Sequence, residues 1–253
     1  MRDTGYDEAF YEETGGWSAR SAAVIVPMLI DAVRPSSVVD VGCGRGHWLA
    51  AFRRAGVADV VGLDGAYVPT SELVIDEASF RAVDLERPEQ LGRGFDLALS
   101  VEVAEHLDPA TATSFVGYLC SLAPVVCFSA AIPGQGGVHH VNEQWPAYWA
   151  RLFATEGFEA LDLLRPAVWN HPEVAFFYAQ NLVLYARADR AAEVAERARV
   201  WPRPVEPLPL VHPGMVEAWD RARRARPAAP PSLRAVLRQL PGAARRAVAS
   251  RRR

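Results

Sequence analysis

The chain has 253 residues, half of them apolar, and a formal net charge of −3. That length buries a full core and sets one α/β domain with appendages as the expectation, so a wholly disordered chain is excluded. Three cysteines (Cys43, Cys120, Cys127) in apolar or glycine contexts exclude a disulfide framework. No signal peptide and no apolar run of membrane-spanning length are read, and the cysteine usage points to a reducing, cytoplasmic compartment. Every basic side chain is arginine and alanine is abundant, the mark of a GC-rich bacterial genome rather than of a function. Residues 187–253 hold 16 Arg against 6 Asp and Glu, so the near-neutral total hides an acidic body and a basic tail.

Residues 1–16 are polar, aromatic and acidic. A helix is predicted over 17–33, where Ile25, Met28, Leu29 and Val33 recur at spacings of three and four. Pro35-Ser36-Ser37 ends it. Val38, Val39 and Val41 then read as a strand covered on both faces, with Asp40 inside it. Gly42, Gly44 and Gly46 make a turn whose backbone approaches a ligand closely, and a helix follows over 48–55. Strands are predicted at 59–64, 80–85, 95–100, 125–130, 158–164 and 180–186. Helices are predicted at 113–122 and 143–153, the latter with Pro146 in its first turn. The alternation predicts a doubly wound α/β fold with a mostly parallel, seven-stranded sheet. Beyond it come a helix at 191–200, an extended Pro-rich stretch at 201–209, a second helix at 215–224 and a linker at 227–231. Residues 232–250 pattern as a basic amphipathic helix, suited to an anionic membrane or an acidic partner.

The glycines fall as G-x-G-x-G, with His47 where a dinucleotide fingerprint has its third glycine. D-V-G-C-G-x-G resembles the first motif of class I S-adenosylmethionine (SAM) dependent methyltransferases. The resemblance covers roughly residues 20–187. It implies a lid segment over residues 1–19, a Rossmann-like methyltransferase domain over 20–187 and a C-terminal extension over 188–253. It implies a cofactor site of Asp40, Gly42, Cys43, Gly44, Gly46, Asp64, Gly65, Asp84, Leu85, Ser100 and Val101. Asp64 ends the second strand and offers two acceptor oxygens to the two hydroxyls of a ribose. Asp84 meets the adenine amine, and Leu85 covers the ring, with Ala66 or Tyr67 packed on it as well. Ser100 and Val101 close the F-D-L-x-x-S strand that faces the methyl donor.

The chemistry is expected just beyond. If 101–107 turns helically, Glu102, Glu105 and His106 share one face at i, i+3 and i+4. The Gly-rich loop after the fifth strand lifts His139 and His140 over the same sheet edge. E-x-x-E-H followed by a loop histidine resembles the metal site of small-RNA 2′-O-methyltransferases and of ubiquinone-pathway O-methyltransferases. This implies Glu102, Glu105, His106 and His140 as ligands of Mg2+ or another divalent ion. Without a metal, His139 or His140 is the base, with Glu105 beside it. Trp145, Tyr148, Trp149 and Trp169 are candidate stacking platforms, and Gln180 and Asn181 candidate substrate contacts. The whole pattern resembles bacterial methyltransferases of polysaccharide and natural-product pathways. That implies methyl transfer from SAM to a hydroxyl or amine of a small polar acceptor, a carbohydrate or glycosylated metabolite. The alternatives are an RNA 3′-terminal 2′-O-methyltransferase, disfavoured because an acidic body repels nucleic acid, and a non-catalytic SAM-binding partner protein. A dehydrogenase is set aside for want of the third glycine.

Overall fold

The structure, a computed structural model, describes residues 8–201 together with residue 216. The remaining C-terminal residues, with the readings made for them, and residues 1–7 lie outside it. Seven strands alternate with helices in chain order: α1 (Glu8–Val33), β1 (Ser37–Val41), α2 (His47–Arg54), β2 (Asp59–Asp64), β3 (Phe80–Ala82), β4 (Leu97–Val101), α3 (Ala112–Leu122), β5 (Val125–Ser129), α4 (Pro146–Thr155), β6 (Phe158–Leu161), α5 (Leu164–Val168), α6 (Phe176–Asn181), β7 (Val183–Arg187) and α7 (Ala188–Arg197). The sheet order is β3-β2-β1-β4-β5-β7-β6. All neighbours are parallel except β7, which runs antiparallel to both β5 and β6. The expected doubly wound, mostly parallel fold is the one observed.

The period of two along each strand divides the core. Val38, Leu97, Leu99, Val125 and Cys127 face one layer, where Ile25 and Leu29 of α1 and Leu49 and Phe52 of α2 cover them. Val39, Val41, Ala98, Val126 and Phe128 face the other, under Phe115 and Leu119 of α3 and Trp149 and Phe153 of α4. Side chains apolar on both faces are what a central parallel strand requires. The strand order reverses between β1 and β4, so the carboxyl ends of these two strands open a crevice.

Several boundaries differ from the sequence reading. Helix α1 begins at Glu8, so much of the expected lid segment is the first part of this helix. Its Gly16–Val33 stretch has the length and mean hydropathy, 1.2, of a membrane span, contrary to the reading that no such run exists. Here that apolarity is spent on the sheet, with Ala22, Ile25, Val26, Leu29 and Ala32 fully or almost fully buried. The residues read as the start of the last strand form α6 instead. The packed unit also continues past 187: Ala191 and Val194 of α7, then Ala198 and Trp201, are buried in the α1 layer.

Candidate active site

Strand β1 delivers the glycine turn to the crevice. Gly42 has φ 88°, and a Cβ there would stand 2.3 Å from Val103 Cγ2. Only glycine fits that position, on backbone and on space alike. Behind the turn, Asp40 is 1% exposed and its Oδ2 has no partner among the described residues. Burial, helped by the charge of Asp64, pushes its pKa up to about 8. The Cys43 thiol is raised well above its usual value by burial and by the charges of Asp40 and Asp64, so it is an unreactive lining group.

Asp64, at the carboxyl end of β2, is held by three donors. The amide of Gly44 donates to Oδ2 at 2.7 Å, while the amide of Gly65 and the hydroxyl of Tyr67 donate to Oδ1, each at 2.6 Å. One cavity of about 380 Å³ runs from this point across the ends of β1 and β4 to the loop after β5. Of the expected cofactor residues, Gly42, Cys43, Gly44, Asp64, Leu85 and Val101 line it. Asp40, Gly46, Gly65, Asp84 and Ser100 do not. Asp40 and Ser100 are buried behind it, and Gly46 begins α2 against Ile75. Asp84 is exposed and accepts from the Glu86 amide at 3.0 Å.

The far half of the cavity holds the acid and imidazole cluster. The 101–107 stretch does not turn as one helix: Glu102 has φ 55°, and only Ala104–His106 form a short 3-10 turn. Glu102 thereby leaves the helical face expected of the three, although its carboxyl stays beside Glu105. It accepts from Gln135 Nε2 at 2.8 Å and Asn181 Nδ2 at 3.1 Å, and its amide donates to Ser129 Oγ at 3.0 Å. Burial raises its pKa against the pull of these donors. Glu105 is fully buried, and neither carboxylate oxygen has a hydrogen-bond partner among the described residues. Burial and the neighbouring Glu102 push it well above the usual carboxylate range. One ligand atom from each of Glu105, His106 and His140 lies within 4.8 Å of the others. The two rings meet edge to face at 4.8 Å between centroids. Burial and the charge of His140 lower the His106 pKa to about 4, so this imidazole is neutral. Of the four expected metal ligands, three gather. Glu102, though beside Glu105, is already taken up by the donors of Gln135 and Asn181.

The loop after β5 is strapped onto this cluster. The amides of Val141 and Asn142 donate to the Glu105 carbonyl at 2.9 and 3.0 Å, and Asn142 Nδ2 donates to that of Ala104 at 3.3 Å. His139, with φ 56°, is exposed and does not line the cavity, so of the two expected bases only His140 reaches it. Glu102 and His139 thus carry left-handed strain of about 1–2 kcal/mol each at the same site.

The aromatic side chains that line the cavity are not the expected ones. Trp149 is 1% exposed and packs on Phe128 at 5.1 Å, and Trp145, Tyr148 and Trp169 do not line the cavity. Trp48, Phe177 and Tyr178 line it instead, with Ser18, whose Oγ lies 2.9 Å from the Tyr178 hydroxyl. Gln180 and Asn181 sit on α6, and Asn181 supports Glu102. Phe177 and Tyr178 were not among the expected residues, and nothing in the sequence places Ser18 beside Tyr178, 160 positions away.

Residues 19–115 match the methyltransferase domain family. No curated protein matches the chain. Among solved structures, it is similar to DesVI of Streptomyces venezuelae at 17% identity, over 72% of this chain and 96% of that one, with a TM-score of 0.57. It is similar to the magnesium protoporphyrin IX methyltransferase ChlM of Synechocystis PCC 6803 with bound SAM at 20% identity, over 72% and 85%, TM-score 0.52. It is also similar to the methyltransferase domain of bacterial CtHen1-C at 17% identity, over 67% and 98%, TM-score 0.52. At such identities the likeness is one of fold. The matched domain takes in the glycine turn, Asp64, Leu85 and the Glu102 to His106 stretch.

Proposed function

We propose that this chain is a SAM-dependent methyltransferase whose acceptor is a hydroxyl of a small polar molecule, of the sugar or glycosylated-metabolite kind, and that Glu105, His106 and His140 hold a divalent cation beside it. The observation that carries this reading is the single cavity in which Asp64 and the glycine turn stand at one end and Glu105, His106 and His140 at the other. Cofactor and acceptor reach each other only if both ends share one space.

The residues fit both groups. SAM, when bound, supplies a methyl already activated on a sulfonium. Gly42 and Gly44 admit it to the backbone, Asp64 receives the ribose hydroxyls, and Leu85 and Trp48 cover apolar surface. Two unpartnered carboxylate oxygens in a fully buried Glu105, beside a neutral His106, are the donor set a divalent cation takes. Such an ion lowers the pKa of a bound hydroxyl. Glu102, tied to Gln135 and Asn181, fixes the wall next to Glu105. The lining holds one arginine, Arg45, which pairs with Glu72, against three carboxyl groups, Asp64, Glu102 and Glu105. That charge suits an acceptor without phosphate better than an RNA end.

Incubation with labelled SAM, a panel of glycosides and nucleotide sugars, and an RNA 3′ end, each with and without EDTA, tests the reading. Transfer to a glycoside hydroxyl that EDTA abolishes is expected. Turnover insensitive to EDTA removes the cation and leaves His140 as the base; transfer to RNA alone removes the acceptor.

A further inference from the structure

The Gly-rich loop closes around a carboxylate of its own chain. The Gly134 amide donates to Glu143 Oε2 at 2.7 Å, and the Gly136 amide donates to Oε1 at 2.7 Å. Oε1 also lies 3.1 Å from His140 Nδ1. The His140 and Glu143 side chains are only 11% and 20% exposed, so this contact is sheltered from water. The His140 ring lies against Gly137, where a Cβ would stand 2.2 Å from Nε2. Glycines thus serve two ends here: two supply amides to Glu143, and one leaves room for the imidazole.

We infer that Glu143 is the positioning residue of the site, fixing His140 with its proton on Nδ1 and its lone pair on Nε2. A carboxylate that takes an N–H on each oxygen is an acceptor only. Nδ1 therefore donates to it, and in a neutral imidazole Nε2 is left bare. A bare Nε2 is what His140 needs either to ligate a cation or to take a hydroxyl proton. The inference rests on the role given to His140 above, but on neither version of that role alone. Glu143 does not line the cavity, so it acts through His140 rather than on the acceptor.

The test is Glu143→Gln in the full-length chain, with Glu143→Asp as the conservative variant. Long-range proton–nitrogen NMR on the protein without cofactor reads the imidazole tautomer, and the His140→Gln spectrum assigns the signals. Wild type is expected to show the Nδ1–H form of His140. Glu143→Gln is expected to lose it and to lower kcat about 10- to 100-fold, with SAM affinity by calorimetry unchanged. Glu143→Asp is expected to keep the tautomer and recover part of the rate. An Nε2–H tautomer in wild type overturns the inference, and so does a variant that loses turnover with the tautomer intact. If Glu143→Gln does not fold, the wild-type and Asp spectra still decide. EDTA-insensitive turnover would sink the cation reading while leaving this inference standing. A failed tautomer test would do the reverse.

Discussion

At the scale of single residues, Asp64 shows how a binding group is kept satisfied before its ligand arrives. Its carboxylate was read as the acceptor for a ribose diol, yet the Tyr67 hydroxyl already donates to Oδ1. The Tyr67 ring reaches it over Gly65, where a Cβ would stand 2.1 Å from Cε1. A ribose hydroxyl on Oδ1 must replace the phenol. Removing the phenol hydroxyl therefore removes a competitor worth about 0.5–1.5 kcal/mol net. Tyr67→Phe is expected to bind SAM roughly 2- to 10-fold more tightly by titration calorimetry. Unchanged or weaker binding would mean that the diol does not use this oxygen. Ring packing is retained in Phe, so a loss of adenine contact is not confounded with the gain. Glu105 is the opposite case, a buried carboxyl with no hydrogen bond of ordinary geometry on either oxygen among the described residues. Glu105→Gln is expected to raise stability and abolish turnover together, because it removes the cost of ionising a carboxyl kept from water along with the group proposed to meet the cation. Urea denaturation beside the labelled-SAM assay reads both; a stability loss with turnover intact would place Glu105 in the scaffold alone.

At the scale of elements, what the sequence disclosed followed how local each signal is. β1, its glycine turn and α2 are legible because strand pattern, turn residues and helix period all fall within the 18 residues from Ser37 to Arg54. The ends of β2 and β4 follow from the same logic. The last strand was begun too early, at Gln180, because the end of α6 runs almost directly into β7, and the helical turn of α6 is supported from afar. Ser21 Oγ accepts from the Ala175 amide at 3.0 Å, and Ser18 meets Tyr178. The Glu102 spacing failed for another reason: i, i+3, i+4 presupposes helical φ at each position, and nothing in a glutamate announces φ 55°. Trp149 and Tyr148 were candidate platforms because an aromatic spacing does not say which face of a helix is buried. The core was also read as ending too early. Trp201, 6% exposed, follows α7 into the α1 layer. Trp201→Ala is expected to cost about 3 kcal/mol, the low end for a buried tryptophan, because Nε1 has no partner among the described residues and its loss relieves a desolvation penalty. Urea denaturation measures it; a change below about 1 kcal/mol would show that the turn after α7 lies outside the cooperative core.

The whole molecule folds a carboxylate into the centre of its sheet, and the consequence is a slope of stability against pH. Asp40 sits in β1 between β2 and β4, and its pKa rises from an ordinary 3.8 to about 8 through burial and then the charge of Asp64. The unfolded chain ionises Asp40 near pH 4, while the folded chain keeps the proton until about pH 8. Between these values the unfolded state binds fewer protons, so stability falls as pH rises. The favourable contribution is complete below pH 4 and gone above about pH 8, where both states are ionised and the curve is flat. Glu102 and Glu105, also raised by burial, add slope of the same sign. Asp96 and Glu143, held low by amide, hydroxyl and imidazole donors against the opposing effect of burial, add the opposite sign. Their contribution is present above the unfolded carboxylate value and lost only in acid, so it does not mask the neutral range. Asp40→Asn has no proton to lose. Its melting temperature, followed by circular dichroism without SAM from pH 5 to 9, is expected to fall less steeply with rising pH than that of wild type. The two curves should run parallel above pH 8, with the variant the more stable there, because it alone is spared the buried charge. Equal slopes through neutral pH would mean that Asp40 ionises in the fold as it does in water, and that another donor reaches Oδ2.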